Sequence, residues 1–433
     1  MTTTPAGTTT AVARDGWIVV GLLFFFMLIN FADKAIIGLA AVPIMEELKL
    51  SPTEFGLVGS SFFLLFALSS VVVGFISNRV QSRWVLLVMS LIWAVAQFPM
   101  IGVVSYATLI GCRIVLGAGE GPAYPVALHA TYKWFPNALR TLPTAIISQG
   151  AGIGIMIALP LLNLIIVHYN WHWAFAALGA SGLIWCAAWA LFGREGALAE
   201  PTVAQAAAER VPYATLLRNP TIIASWCAFF GAYWALSLSL SWQAAYFVKG
   251  LGFQQGAAGP LTAMTSGLGV ILVIALGWYS QRLLSRGVSS RVARGCLGGA
   301  GVALGGVALA SMTLIDTIWL KVAIGALGMS LPSIIYVISH AVVSEIVPVS
   351  QRGAMLAIGN AIGTTAGLLA PYIMGSTVEH AASALEGFNR GFVICGLIMI
   401  AGGVIGMLFI RPEREARRIA AAGPEGRVAL AKS

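Results

Sequence analysis

The chain has 433 residues, of which 58% are hydrophobic and only 9% charged, with a mean hydropathy of +0.88. A soluble domain carries roughly 25% charged residues, so this composition cannot cover a water-facing surface, and it is too apolar to stay disordered. The net charge of +9 would point to nucleic acid in a soluble chain, but in a membrane protein Lys and Arg mark the cytoplasmic loops, and no nucleic-acid partner is expected.

The apolar residues come in long continuous runs rather than in the weak alternation of a transmembrane strand, which excludes a β-barrel. At about 20 residues per crossing plus connections, the length holds on the order of twelve spans. A polar, Thr-rich run up to Ala13 leads to an apolar stretch after Arg14. That stretch is too long for a signal segment and lacks a small-residue cleavage site, so it is expected to remain as the first span. Spans are predicted near 17–39, 54–76, 84–104, 106–130, 142–167 and 172–193, then near 220–247, 258–283, 291–314, 317–343, 353–378 and 388–410. The fold class is therefore an all-α membrane protein with twelve transmembrane helices in two six-helix bundles, 1–193 and 220–411. A polar, Ala-rich stretch over 194–219 reads as a cytoplasmic linker, and 412–433 as a basic cytoplasmic tail.

With these spans, 19 of the 25 Lys and Arg fall on the side of the termini, while Lys49, Lys249, Lys321 and Arg390 fall on the other. That asymmetry places both termini in the cytoplasm of a multi-pass protein of the cell inner membrane and supports an even number of spans. The five cysteines, Cys112, Cys186, Cys227, Cys296 and Cys395, all lie in apolar runs without a CxxC pair, so neither a disulfide framework nor a metal or cofactor site is expected.

An internal repeat is visible. Gly74-Phe-Ile-Ser77-Asn78-Arg79 ends the second span and Gly277-Trp-Tyr-Ser280-Gln281-Arg282 the eighth, 203 residues later; Pro136 with Arg140 follows the fourth span, and Pro348 with Arg352 the tenth, 212 residues later. Parallel repeats about a pseudo-two-fold axis along the membrane normal are a transporter architecture, with the site between the halves near mid-bilayer.

Four charged side chains stand clearly inside the predicted spans: Asp33 and Lys34 on the first, Arg113 and Glu120 on the fourth. A charge at the centre of a membrane helix costs ~3 kcal/mol even on insertion scales, so such residues face a cavity and have partners. Structural ion pairs locking helices are the plainer reading, but small apolar residues make such contacts at lower cost. Arg113 and Glu120 are seven residues apart, which puts them on one helix face but ~10 Å apart along the axis, too far to satisfy each other. Adjacent Asp33 and Lys34 splay by about 100°, so pairing across the two helices is expected, with a cationic subsite (Lys34, Arg113) beside an acidic one (Asp33, Glu120). Gly117, Gly119 and Gly121 around Glu120 permit close approach of a neighbour, and Pro122 and Pro125 permit a bend. An acid in such a dry setting is suited to exchanging a proton as a cavity opens and closes.

Asn30-Phe-Ala-Asp33-Lys34 resembles the Asn-x-x-Asp-Arg signature of the anion:cation symporter family of the major facilitator superfamily. Arg113-x-x-x-Gly117-x-Gly-Glu120-Gly-Pro122, followed by Trp134-Phe135-Pro136 and Arg140, resembles that family's fourth-span stretch, and Gly74 to Arg83 resembles the superfamily's loop motif. The resemblance implies transport of an organic anion, often with protons. It gives Asp33 and Glu120 the role of proton carriers and Lys34 and Arg113 that of substrate contacts. Gln149 on the fifth span and Asn360 on the eleventh would add neutral hydrogen bonds to the substrate.

The chain departs from the pattern in places. Lys34 stands where an Arg is usual, Asn78 and Gln281 replace the acid of the loop motif, and Leu139 replaces a Glu, so a cytoplasmic lock between helices is expected to be weaker or built from neutral hydrogen bonds. The second half has no clear intramembrane charge but offers Tyr233, Trp234, Trp242, Tyr246, Tyr336, Ser339 and His340; the aromatics read as packing or interface belts and His340 as structural. The function expected is import of a small organic anion with protons by a monomeric, lipid-embedded carrier that is not an enzyme. The rival is a proton-coupled antiporter exporting an anion or drug, to which Gly150, Gly152, Gly154 and Pro160 on the fifth span point weakly.

Overall fold

A computed structural model of the chain describes residues 6–77, 79–136, 139–198 and 211–422. Asn78, residues 199–210 of the predicted linker and the tail beyond 422 lie outside the described residues. Among those described there is helix and no strand, as bilayer burial demands of a backbone that must satisfy its own hydrogen bonds.

Among the described residues eleven helices are long and apolar enough to cross a membrane: Arg14–Leu39, Pro52–Gly74, Ser82–Ile101, Leu142–His168, Trp171–Phe192, Pro220–Ser241, Gln255–Ser285, Arg291–Met312, Ile318–Ile346, Gln351–Glu379 and Ala384–Phe409. The fourth crossing is present as two helices, Tyr106–Glu120 and Ala123–Tyr132, interrupted at Gly121 and Pro122. Four of the even-numbered spans open on a side-chain cap. Ser51 accepts from Glu54 N in a capping box, Ser105 from Thr108 N, Asn170 from Trp173 N and Ser383 from Glu386 N. These caps satisfy the first orphan N–H groups where each helix enters from water.

The chain divides into two compact units, Met1–Glu200 with Leu240–Gly267, and Pro201–Ser239 with Leu268–Ser433. In the first unit, a Cβ on Gly150 or Gly154 would stand 2.5 Å or 2.6 Å from the carbonyl oxygens of Phe24 and Leu28. These glycines let the fifth span lie directly on the first. The 240–267 segment is fastened to the rest of that unit by polar bonds. Asn163 Nδ2 donates to the carbonyls of Gln255 (3.0 Å) and Gly256 (2.9 Å), Gln255 Nε2 donates to Leu39 O (3.0 Å), and Lys249 pairs with Glu46. In the second unit the ninth and twelfth spans meet through Gly299 and Gly403, where a Cβ on either would lie 2.5 Å from the other's carbonyl oxygen.

The repeat is visible in a bond as well as in sequence. Arg140 Nε donates to Phe135 O at 3.0 Å, and Arg352 Nε to Val347 O at 3.0 Å. In both halves an arginine thus caps the carbonyl that precedes a proline.

The expectation of a weaker or neutral lock at the ends of the spans near the termini is corrected by acids further along the chain. Glu195, just past the sixth span, pairs with Lys133 and accepts from the backbone N–H groups of Ser82 (3.1 Å) and Arg83 (2.9 Å) at the start of the third. In the second unit Glu413, past the twelfth span, accepts from Ser290 N, while Glu345 pairs with Arg294 and accepts from Ser290 Oγ at 2.8 Å. The lock is charged, and its acids lie outside the loop motif.

Burial pushes the Glu195 carboxyl up, but the bond from Lys133 and those from the Arg83 and Ser82 N–H groups outweigh it and hold the group below its ordinary 4.5. A carboxyl lowered in the folded state contributes fully above its unfolded value, and that contribution is lost as pH falls through the folded value, a window below about pH 4.5. Thermal unfolding of detergent-purified protein from pH 7 to pH 3 should therefore show a steep acid limb that is shallower in Glu195→Gln, with the variant already less stable at pH 7. Parallel curves would refute the lock.

Candidate functional site

The site is assembled from the first, second and fourth spans. Asn30 and Lys34 are one turn apart on the unbroken first helix, and Lys34 Nζ donates to Asn30 Oδ1 at 2.5 Å. Lys34 also reaches across to the fourth span, with Nζ 3.5 Å from Glu120 Oε2. Its ammonium lies over the rings of Phe31 (4.4 Å) and Phe66 (5.3 Å), and the Arg113 guanidinium lies 4.6 Å from the Phe62 ring centroid. Asp33, Lys34, Arg113 and Glu120 are 1%, 7%, 4% and 1% exposed, and they lie close enough to interact electrostatically as a group.

Two helix interruptions lie beside this quartet. The second span is broken at 62–65, between Pro52–Ser61 and Phe66–Ser77, and the fourth at Gly121 and Pro122. A Cβ on Gly117 would stand 1.8 Å from Phe62 O, and one on Gly121 would stand 2.1 Å from Phe66 O. The fourth span therefore rests directly on the backbone of the second, at its break. Gly119 does not share this role: a Cβ there would meet nothing nearer than 3.5 Å, because it points to the opposite side of the helix. Pro125 does not bend anything, since it falls in the first turn of Ala123–Tyr132, where a missing N–H costs no bond.

Much of the site's hydrogen-bonding capacity is unused by the protein. Both Asp33 oxygens, both Glu120 oxygens, Arg113 Nε and Nη1, Asn30 Nδ2 and Gln97 Nε2 are buried with no hydrogen bond among the described residues. Gln97, on the third span, approaches the Asp33 carboxylate without closing a bond. Each unmet buried polar group costs about 1–3 kcal/mol, so native chains keep few of them, and a concentration of both signs marks a place built to receive a polar ligand. The structure sets Lys34 against Glu120, a pairing across the first and fourth spans, and leaves Arg113 on an aromatic face with Nε and Nη1 unbonded.

The remaining sequence-predicted residues are not joined to the quartet by hydrogen bonds. Gln149 is half-buried on the fifth span, and Asn360 is half-buried on the eleventh, in the second unit; neither makes a side-chain hydrogen bond among the described residues. In the second unit Tyr336 donates to Ala232 O (3.0 Å), Phe229 lies edge-on to Tyr336 and His340, and Ser225 bonds Ser339, so this aromatic group packs mainly on itself. Sequence reasoning missed Gln97 and Phe62. Gln97 carried a signal, a lone amide within the apolar run Ser82–Ile101; Phe62 carried none.

Residues 23–333 match the family model described as the Major Facilitator Superfamily. Among curated proteins the chain is similar to a hexuronate transporter of Bacillus subtilis, at 25% identity over 92% of this chain and 96% of that one. It is also similar to a probable sulfoacetate transporter of Cupriavidus necator, at 28% identity over 91% and 94%. Among solved structures it resembles an inward-facing, unoccupied bacterial homolog of the human lysosomal transporter Spinster (18% identity, TM-score 0.75, covering 92% and 97% of the two chains). A D-xylose-proton symporter gives a TM-score of 0.75 at 15% identity, covering 92% and 98%.

The glycine contacts give a paired prediction. Gly117→Ala should destabilise the protein by at least ~1–3 kcal/mol, the usual penalty of overpacking, because the atom it strikes is backbone. Gly119→Ala should stay within about 0.5 kcal/mol of the parent. Thermal unfolding and the monodisperse yield in detergent read both, and equal losses at the two positions would refute the backbone contact.

Proposed function

Because this chain belongs to the major facilitator superfamily, matched over residues 23–333, we propose that it is a secondary active transporter importing a small organic anion together with protons by alternating access. The observation that carries this reading is the buried Arg113 guanidinium, with nitrogens unpaired, beside a Lys34–Glu120 ion pair that a second anion can divide. The relatives point the same way: hexuronate and sulfoacetate are small, hydrophilic and acidic. The 19-to-4 distribution of basic residues supports an inner-membrane carrier with both termini in the cytoplasm.

Charge balance supplies the coupling. Two cations and two acids sum to zero, so an arriving monoanion leaves one negative charge in a low-dielectric site unless a proton enters with it. The anion seats on Arg113 and draws Lys34 toward itself. Glu120, left without its counter-charge in an apolar setting, is then stable as the neutral acid. Read in reverse, a protonated Glu120 releases Lys34 to bind the anion, so proton and substrate each favour the other's binding. Asp33 is the second proton-carrying group. Gln149 and Asn360 contribute neutral hydrogen bonds to the polar parts of the substrate.

A thermal-shift screen of hexuronates, aldonates and sulfoacetate on purified protein identifies the working substrate. Arg113→Lys should weaken its binding by about 2 kcal/mol, near thirtyfold, because the ammonium cannot reproduce the planar fork; unchanged affinity would refute the anchor. Glu120→Gln imitates the protonated acid and should retain counterflow while losing pH-driven accumulation in the same vesicles. Loss of both activities would make Glu120 a purely structural link. Retention of both would move the proton elsewhere.

A further inference from the structure

Beyond the twelfth span, which ends at Phe409, the chain enters a separate helix, Pro412–Ala422. One side of it is tied to the second unit. Glu415 is buried and accepts from Asn219 Nδ2 at 3.0 Å, Glu413 accepts from Ser290 N, and Ile419 is buried. The other side carries Arg414, Arg417 and Arg418, spaced i, i+3, i+4 and all exposed. Arg414 and Arg417 have no ion-pair partner among the described residues, and Arg418 makes only a 3.7 Å contact with Glu415. With Glu413 these arginines line a groove of about 570 Å³.

We propose that this groove binds the headgroup of an anionic phospholipid. The helix begins three residues after the last residue of a membrane span, so its first turns stand at headgroup depth, where the polar layer is only several ångströms thick. Three guanidiniums against one partly engaged carboxylate leave the groove strongly positive. Guanidinium forks match phosphate oxygens in geometry as well as in charge. Basic clusters directly beside a span meet lipid phosphate within a Debye length of the membrane surface, at a local concentration no soluble anion reaches. Glu415 and Ile419, buried on the opposite side, keep the arginines turned away from the protein, so the buried face orients the basic one. The inference is independent of the transport reading.

The test uses the full chain in neutral detergent, titrated with short-chain phosphatidylglycerol, with phosphatidylcholine of the same chain length, and with inorganic phosphate. Phosphatidylglycerol should bind about tenfold more tightly than phosphatidylcholine, and the preference should shrink as salt rises. R414Q/R417Q/R418Q should abolish the preference, while R282Q/R286Q, which removes two other exposed arginines, should leave it intact. Should the triple variant fail to give monodisperse protein, R417Q alone should lower the preference severalfold, and R414K/R417K/R418K should retain most of it. An undiminished preference in R414Q/R417Q/R418Q would overturn the proposal, as would an equal loss in R282Q/R286Q. Inorganic phosphate competing on equal terms with the lipid would make this a soluble-anion site and overturn it as well.

Discussion

The contact between Lys34 and Glu120 is the constraint on which the first unit turns. Alone, either charge would make its helix costly to hold in a bilayer, by ~3 kcal/mol at the centre. Together they tie the first span to the fourth. The fourth is pressed onto the second by Gly117 and Gly121, and the fifth onto the first by Gly150 and Gly154. Removing one partner of such a pair is worse than removing both, because the survivor is left buried and uncompensated. The same property makes the pair responsive, since any incoming charge competes directly for one of its members.

The cations are held in an unusual way for groups so deeply buried. Phe31 and Phe66 present ring faces to Lys34, and Phe62 presents its ring to Arg113. A ring face offers a cation some attraction without occupying any N–H. The rings thereby help to position both side chains, and Arg113 Nε and Nη1 remain available for hydrogen bonds. Carboxylates in place of the rings would hold the cations more tightly and leave them less to offer an anion. Two helix breaks lie beside the quartet, and interrupted helices leave backbone groups near it outside the regular helical ladder.

How much of this could be read beforehand depended on whether the cause was local. The spans, the bend expected at Gly121-Pro122 and the membership of the quartet all follow from residues close together in sequence. The break at 62–65 does not. Phe62-Phe63-Leu64-Leu65 contains no helix breaker, and it lies where the fourth span comes against that backbone. Helix geometry excluded a direct Arg113–Glu120 bond but could not choose Lys34 as the partner of Glu120, since that depends on how the two helices are placed. Glu195 and Glu413 were equally hidden: one sits in a loop and the other in the first turn of a short helix, and each acquires its role only from helix starts more than a hundred residues away.

The tie between Asn219 and Glu415 has a consequence for biogenesis. The two residues are 196 positions apart, one at the entry to the seventh span and the other beyond the twelfth. A ribosome delivers Asn219 to the membrane many seconds before Glu415 exists, at ordinary elongation rates of about 5–20 residues per second. Until then the Asn219 side-chain NH2 lacks its carboxylate partner, although its Oδ1 can already accept from the N–H groups of Thr221 and Ile222. The second unit therefore cannot close this end while it is being inserted. This fastening waits for an eleven-residue helix that is made only after the twelfth span.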